Sequence, residues 1–153
     1  MKIRVEIDDN LAEEEILIRC RRLDEEALAI QKRINEAVNA GLKLAVTRGE
    51  TEYYLSLSEI LFFETGDNAV AVHTAGGIYT TRLRLYELEE LLPGSFLRAS
   101  KSAIINTGKV RSLRKNIAGA SEVEFYGSSK RAFVSRNYFK LLMDKLEEKR
   151  LKR

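Results

Sequence analysis

Apolar and polar positions alternate with a period of two in a pair of short stretches near the start of the chain. In KIRVEI (2–7), Ile3 and Val5 stand against Lys2, Arg4 and Glu6, and EEILIRC (14–20) alternates in the same way. That period predicts strands. Asp24 then has the character of a helix cap, with Glu25 and Glu26 well placed in the first turn. Ala27, Leu28, Ile30, Ile34 and Val38 recur at helical spacing to about Ala40, and Gly41 is a natural stop. From Leu42 the texture changes to short strands at 42–48, 51–57, 60–65, 69–74 and 78–82. Turn residues separate them at Arg48-Gly49-Glu50, Gly66-Asp67-Asn68 and Ala75-Gly76-Gly77. A short helix over 84–91 stops at Leu92-Pro93-Gly94, and strands follow at 96–98, 103–106, 109–114, 121–126 and 130–134. Tyr126-Gly127-Ser128-Ser129 reads as a hairpin turn. Ser135 is expected to cap a last helix from 136 to about 149, with Tyr138, Leu141, Leu142 and Leu146 inward, ahead of a solvated tail over 149–153.

The pattern therefore predicts a mainly β fold with few helices, preceded by a strand–strand–helix segment. It divides the chain into 1–41 and 42–153. The first part is too short to bury a core alone and must pack on the remainder or on a partner chain. At 153 residues, 44% hydrophobic and 32% charged, the chain has enough apolar residues for a single core-forming domain. No apolar run reaches the roughly 18 residues of a membrane span, and no signal segment opens the chain, so a cytoplasmic location is expected.

Composition also limits the chemistry. With Cys20 and His73 the single residues of their kinds, neither an internal disulfide nor an ordinary structural zinc site can be assembled. Cys20 is expected to be a small buried hydrophobe. His73 lies mid-strand, where Val70, Val72 and Thr74 alternate with Ala71 and His73, and reads as an ordinary strand residue rather than a general base. Glu122 and Glu124 share one strand face. Such a pair can do acid–base work, but Val123 and Phe125 pointing the other way suggest the solvent face of an edge strand. No glycine-rich phosphate loop precedes a helix. The expectation is no enzyme, no cofactor and no small-molecule substrate.

Charge is distributed unevenly. Residues 1–41 hold 7 Lys/Arg and 10 Asp/Glu, a net of −3. Residues 98–140 hold 10 basic residues against Glu122 and Glu124, a net of +8. A basic segment inside a folded region is the footprint expected for nucleic acid. Two clusters concentrate it. Arg98, Ser100, Lys101 and Ser102 sit at a predicted loop between the apolar anchors Phe96-Leu97 and Ala103-Ile104-Ile105, and hydroxyls with cations at a loop tip suit phosphate oxygens and base edges. Lys130, Arg131, Ser135, Arg136, Asn137 and Lys140 surround the start of the last helix, whose free N–H groups favour anions.

Residues 42–148 resemble the LytTR-type DNA-binding domain of bacterial transcription regulators. The resemblance rests on four patterns in order: Leu61-Phe62-Phe63-Glu64; Tyr79-Thr80-Thr81-Arg82 followed by Leu88-Glu89-Glu90-Leu91-Leu92; Phe96 through Asn106; and Val134-Ser135-Arg136-Asn137-Tyr138. Ser100 stands where many members have His, and Ala103 where many have an aromatic. The resemblance implies an elongated, multi-sheet β domain rather than a helix-turn-helix, with loops entering successive major grooves of double-stranded DNA. Carried over by position, the contacting loops are those bearing Asp67 and Asn68; Arg98, Ser100, Lys101 and Ser102; and Ser135, Arg136, Asn137 and Lys140. For Arg98 an ion pair, for instance with Glu64, is an equal alternative, and Asn106 is expected to hold backbone at a turn.

With 41 residues ahead of the domain there is no room for a receiver domain. The chain thus resembles the family's short regulators, with input from another protein, from abundance or from dimerisation. Residues 1–41 are expected to make a homodimer or to dock a partner such as a membrane sensor. Two other readings compete with the DNA-binding regulator: an RNA-binding β protein stacking bases on Tyr53, Tyr54, Phe62, Phe63 and Tyr79, and a protein-interaction module of a membrane-sensor system.

Overall fold

The structure is a computed structural model that describes residues 1–148 and 150. Among the described residues, ten strands and three α-helices follow one another along the chain. Helix α1 (Glu25–Asn39) opens on Asp24, whose carboxylate accepts the Ala27 N–H at 2.9 Å. Strands β1 (Lys43–Arg48), β2 (Thr51–Ser56), β3 (Ile60–Thr65), β4 (Val70–Thr74) and β5 (Ile78–Thr81) lead to helix α2 (Leu85–Leu91). Then come β6 (Phe96–Ser100), β7 (Ala103–Asn106), β8 (Val110–Arg114), β9 (Ser121–Phe125), β10 (Arg131–Val134) and helix α3 (Arg136–Glu148).

The strands form two antiparallel sheets. One has seven strands in the order β2-β1-β5-β4-β3-β7-β6, the other three in the order β10-β9-β8. Strand β3 explains why the larger sheet needs cover on both sides. Its residues Ile60, Leu61, Phe62 and Phe63 are buried without interruption, so both faces must be dry. Phe63 packs with Val72, Ile104, Leu85 and Leu88, under α2. Leu61 and Phe62 pack on the opposite face with Ile105, Val123, Phe125, Val134 and Leu142, under the small sheet and α3. At its centre the molecule is therefore three layers thick, with two apolar clusters separated by one sheet.

Several expectations are corrected. The stretches 2–7 and 14–20 are not strands, because among the described residues nothing supplies a neighbouring ladder for their backbone. Cys20 is exposed rather than buried. Helix α1 ends through Ala40 in a right-handed conformation, and Gly41 is not among the glycines with positive φ. Glu122 and Glu124 lie on the middle strand of the three-stranded sheet, not on an edge. Leu141 is 55% exposed, since α3 turns Tyr138, Phe139, Leu142 and Leu146 to the core instead. The tail over 149–153 lies outside the described residues apart from Arg150, which pairs with Glu147.

Candidate nucleic-acid interface

Strands β6 and β7 are joined by a turn that carries Lys101 and Ser102. The pairing shifts register between Arg98 and Ser100, a bulge that re-aims the end of the strand. Arg98 then folds its guanidinium back under the turn. Its Nε donates to the Ser100 carbonyl at 2.9 Å, one terminal nitrogen donates to the Lys101 carbonyl at 3.1 Å, and the other pairs with Glu89 of α2. From β3, the Thr65 N–H and hydroxyl both donate to the Ser102 carbonyl, each at 2.9 Å. The Ser102 N–H donates to the Ser100 hydroxyl at 3.2 Å. Lys101 is thus presented to solvent on a turn whose carbonyls are tied from both sides. Arg98 is the tie, with Glu89 as its acidic partner rather than Glu64.

The β3–β4 turn lies beside it. Its Gly66 N–H donates to the Ala69 carbonyl at 2.8 Å. A Cβ on Gly66 would stand 2.9 Å from that oxygen, so the tight closure needs glycine here. Asp67 and Asn68 are exposed at its tip. This turn, Arg98 and Lys101 border a hollow of about 610 Å³ that also takes in Arg82 and Arg84. The sequence reading missed these two arginines because they lie outside the basic 98–140 stretch, in the link from β5 to α2. Their spacing of two, flanking half-buried Leu83, was the available signal.

The start of α3 is attached to the same strand as the Lys101 turn. The Ser135 N–H donates to the carbonyl of buried Ala99 at 2.8 Å. Arg136, Asn137 and Lys140 are exposed on the first turns of the helix, and Arg136 donates to the Ile117 carbonyl of the β8–β9 connection at 3.3 Å. One strand, β6, therefore carries the turn at its end and the helix start at its side.

Lys130 and Arg131 are engaged within the protein. The Lys130 ammonium donates to the Gly77 carbonyl at 3.2 Å and lies 3.5 Å from His73 Nδ1, joining the small sheet to the large one. Arg131 reaches Glu122 at 3.1 Å and Glu124 at 3.6 Å, so these carboxylates balance a cation rather than form a free acidic pair. His73 stacks on Phe62, with ring centroids 4.1 Å apart, and its Nε2 is 3.5 Å from Glu64. Burial and then the Lys130 charge push its pKa below the usual histidine value, with Glu64 opposing. Neutral His73 with its proton on Nε2 satisfies this geometry: Nδ1 accepts from Lys130 and Nε2–H faces Glu64. Burial likewise lowers Lys130.

Asn106, buried, donates through its amide to the Ile60 carbonyl at 2.9 Å and accepts the Gly108 N–H at 3.1 Å. It holds backbone, as expected. Phe62 and Phe63 are 4% and 0% exposed, which removes them as base-stacking surfaces. Among the described residues no cluster of His, Cys, Asp and Glu has the makings of a metal site, and no helix is long and apolar enough to cross a membrane.

Residues 50–147 match the family model described as the LytTr DNA-binding domain. Proteins of Staphylococcus aureus strains NCTC 8325 and MRSA252, each described as an uncharacterized HTH-type transcriptional regulator, are 25% identical over 146 residues, covering 95% of this chain and 98% of theirs. A solved LytTr DNA-binding domain from Bacillus cereus superposes with a TM-score of 0.60 at 22% identity, over 66% of this chain and 95% of that one. In this chain five strands separate α2 from α3, so among the described residues no helix pair has helix-turn-helix geometry.

Proposed function

This chain belongs to the LytTR family of DNA-binding domains, and from that premise we propose that it is a homodimeric, sequence-specific regulator of transcription whose loops enter successive major grooves of double-stranded DNA. The observation that carries the proposal is the attachment of the Lys101 turn and the α3 start to one strand, through the hydrogen bond from Ser135 to Ala99. Two exposed basic elements are thereby held at one spacing, which is what reading two positions along a duplex requires. In this reading Lys101 and Arg136 reach base edges, Asn137 and the hydroxyls of Ser100, Ser102 and Ser135 reach phosphate or base edges, and Lys140 contacts phosphate. Asp67 and Asn68 border the hollow as a third contact. Arg82 and Arg84 add positive charge there. Arg98, Lys130 and Arg131 act by holding the fold.

A single experiment separates this from RNA binding. Selection from random duplex DNA is expected to enrich one motif with two boxes. A single-stranded RNA competitor is expected to displace the selected duplex only at large excess. Failure to enrich any motif, or equal competition by RNA, would overturn the reading.

A further inference from the structure

The backbone of residues 12–23 is left unpaired by the described residues. Among the described residues, no group donates to it or accepts from it. Unpaired backbone on an alternating apolar stretch is a template for another strand. The apolar members of the alternation are brought to one side. Ile16, Ile18 and Cys20 border an apolar groove of about 560 Å³ whose opposite wall is formed by Ala27, Ile34 and Val38 of α1. By the alternation, Glu13, Glu15, Leu17, Arg19 and Arg21 belong to the other face; Leu17 is 66% exposed, and Glu15 also borders the groove at its edge. Charge on this face changes sign along the strand, acidic before Leu17 and basic after it.

That reversal identifies the occupant. An acidic peptide would match the basic half and repel the other, and a basic peptide would do the converse. A second copy running antiparallel matches both halves. Centred on Leu17, the register sets Glu15 across from Arg19, Glu13 across from Arg21, and Ile16 across from Ile18, each pair occurring twice about the two-fold axis. Directly opposed residues in an antiparallel pair share a face and lie close enough to interact. In the other alternating stretch of this chain, Arg4 already pairs with Glu6 of the same copy at 2.6 Å.

We infer that residues 13–21 pair antiparallel with residues 13–21 of a second copy about a two-fold axis at Leu17, with the apolar faces of both strands lying over their α1 grooves. The interface is isologous, as two-fold dimers require. It rests on the dimeric reading proposed above and adds to it the surface and the register.

Charge exchange in the full chain tests it. Glu13→Arg/Glu15→Arg and Arg19→Glu/Arg21→Glu each place like charges across all four ionic pairs. Sedimentation without DNA is expected to show each variant with its dimer dissociation constant raised about tenfold or more, and a mixture of the two is expected to recover dimer. Circular dichroism of each variant is expected to match the wild type, which separates lost pairing from lost folding. In a Cys20→Ser background, Leu17→Cys is expected to form a disulfide-linked dimer, since opposed residues here fall within disulfide reach. A wild-type dimer that survives both exchanges, or that gives no Leu17→Cys cross-link, overturns this interface and leaves dimerisation standing. A wild-type chain that is monomeric at about tens of micromolar overturns both, while DNA recognition is judged separately by the selection.

Discussion

Arg98 and Arg136 carry the same charge into different surroundings. Arg98 directs its guanidinium to two carbonyls and Glu89, inside the fold. Arg136 is exposed, with one carbonyl partner. Arg136→Ala is expected to cost about 1–3 kcal/mol on the preferred duplex and to relax preference at one base pair, whereas Lys140→Ala weakens all sequences about equally. Titrations on the selected site and on a scrambled one decide. A parallel loss in both mutants would remove Arg136 as a base reader. Asn106→Ala leaves the Ile60 carbonyl and the Gly108 N–H without their partner, and denaturant unfolding is expected to show a loss of about 1–3 kcal/mol. His73 has its pKa lowered by burial and by Lys130, so the unfolded chain takes up its proton first as pH falls. Its contribution is complete above about pH 6.5 and declines as the pH drops through the folded-state value. The stability difference between wild type and His73→Gln should therefore narrow between about pH 7.5 and pH 5, and a constant difference would contradict this.

At the scale of elements, β3 shows what a continuous apolar run encodes. Neighbouring Phe62 and Phe63 serve opposite clusters, one under the small sheet and one under α2. Phe63→Ala is expected to cost about 3–5 kcal/mol, as full burial of an aromatic implies, and thermal unfolding measures it. Strand and helix positions from residue 42 onward were legible within a few residues, because turns such as Gly66-Asp67-Asn68 and Tyr126-Gly127-Ser128-Ser129 punctuate strongly periodic segments. Gly127, at φ +73°, and Gly49, at φ +64°, stand where L side chains are strained. Residues 2–7 and 14–20 were misread for an equally physical reason. Alternation specifies a strand's faces, but a strand also needs a neighbour.

For the whole molecule, the positive excess of residues 98–140 is partly offset on the surface that carries it. Arg131 faces Glu122 and Glu124, while Lys101, Arg136 and Lys140 remain outward, with Arg82 and Arg84 around the same hollow as Lys101. About five phosphate contacts would then give a slope of log K against log salt of about −4 to −5. Binding isotherms across a salt series test this, and a slope flatter than about −1 would count against recognition of duplex DNA.

The order and type of the elements from residue 24 onward, the Asp24 cap and the turn-holding bond between Asn106 and the Gly108 N–H follow from the sequence by itself, because each depends on neighbours within a few residues or on a period along the chain. The family resemblance was readable for the same reason: its patterns are local. Which cations are available was decided by the tertiary structure. Arg98 meets Glu89 nine residues away, Lys130 meets Gly77 and His73 across two sheets, and Arg82 joins Lys101 around a hollow formed by separate loops. Charge acts through space over a few ångströms. Its partners are fixed by sheet order and packing, which no local period records.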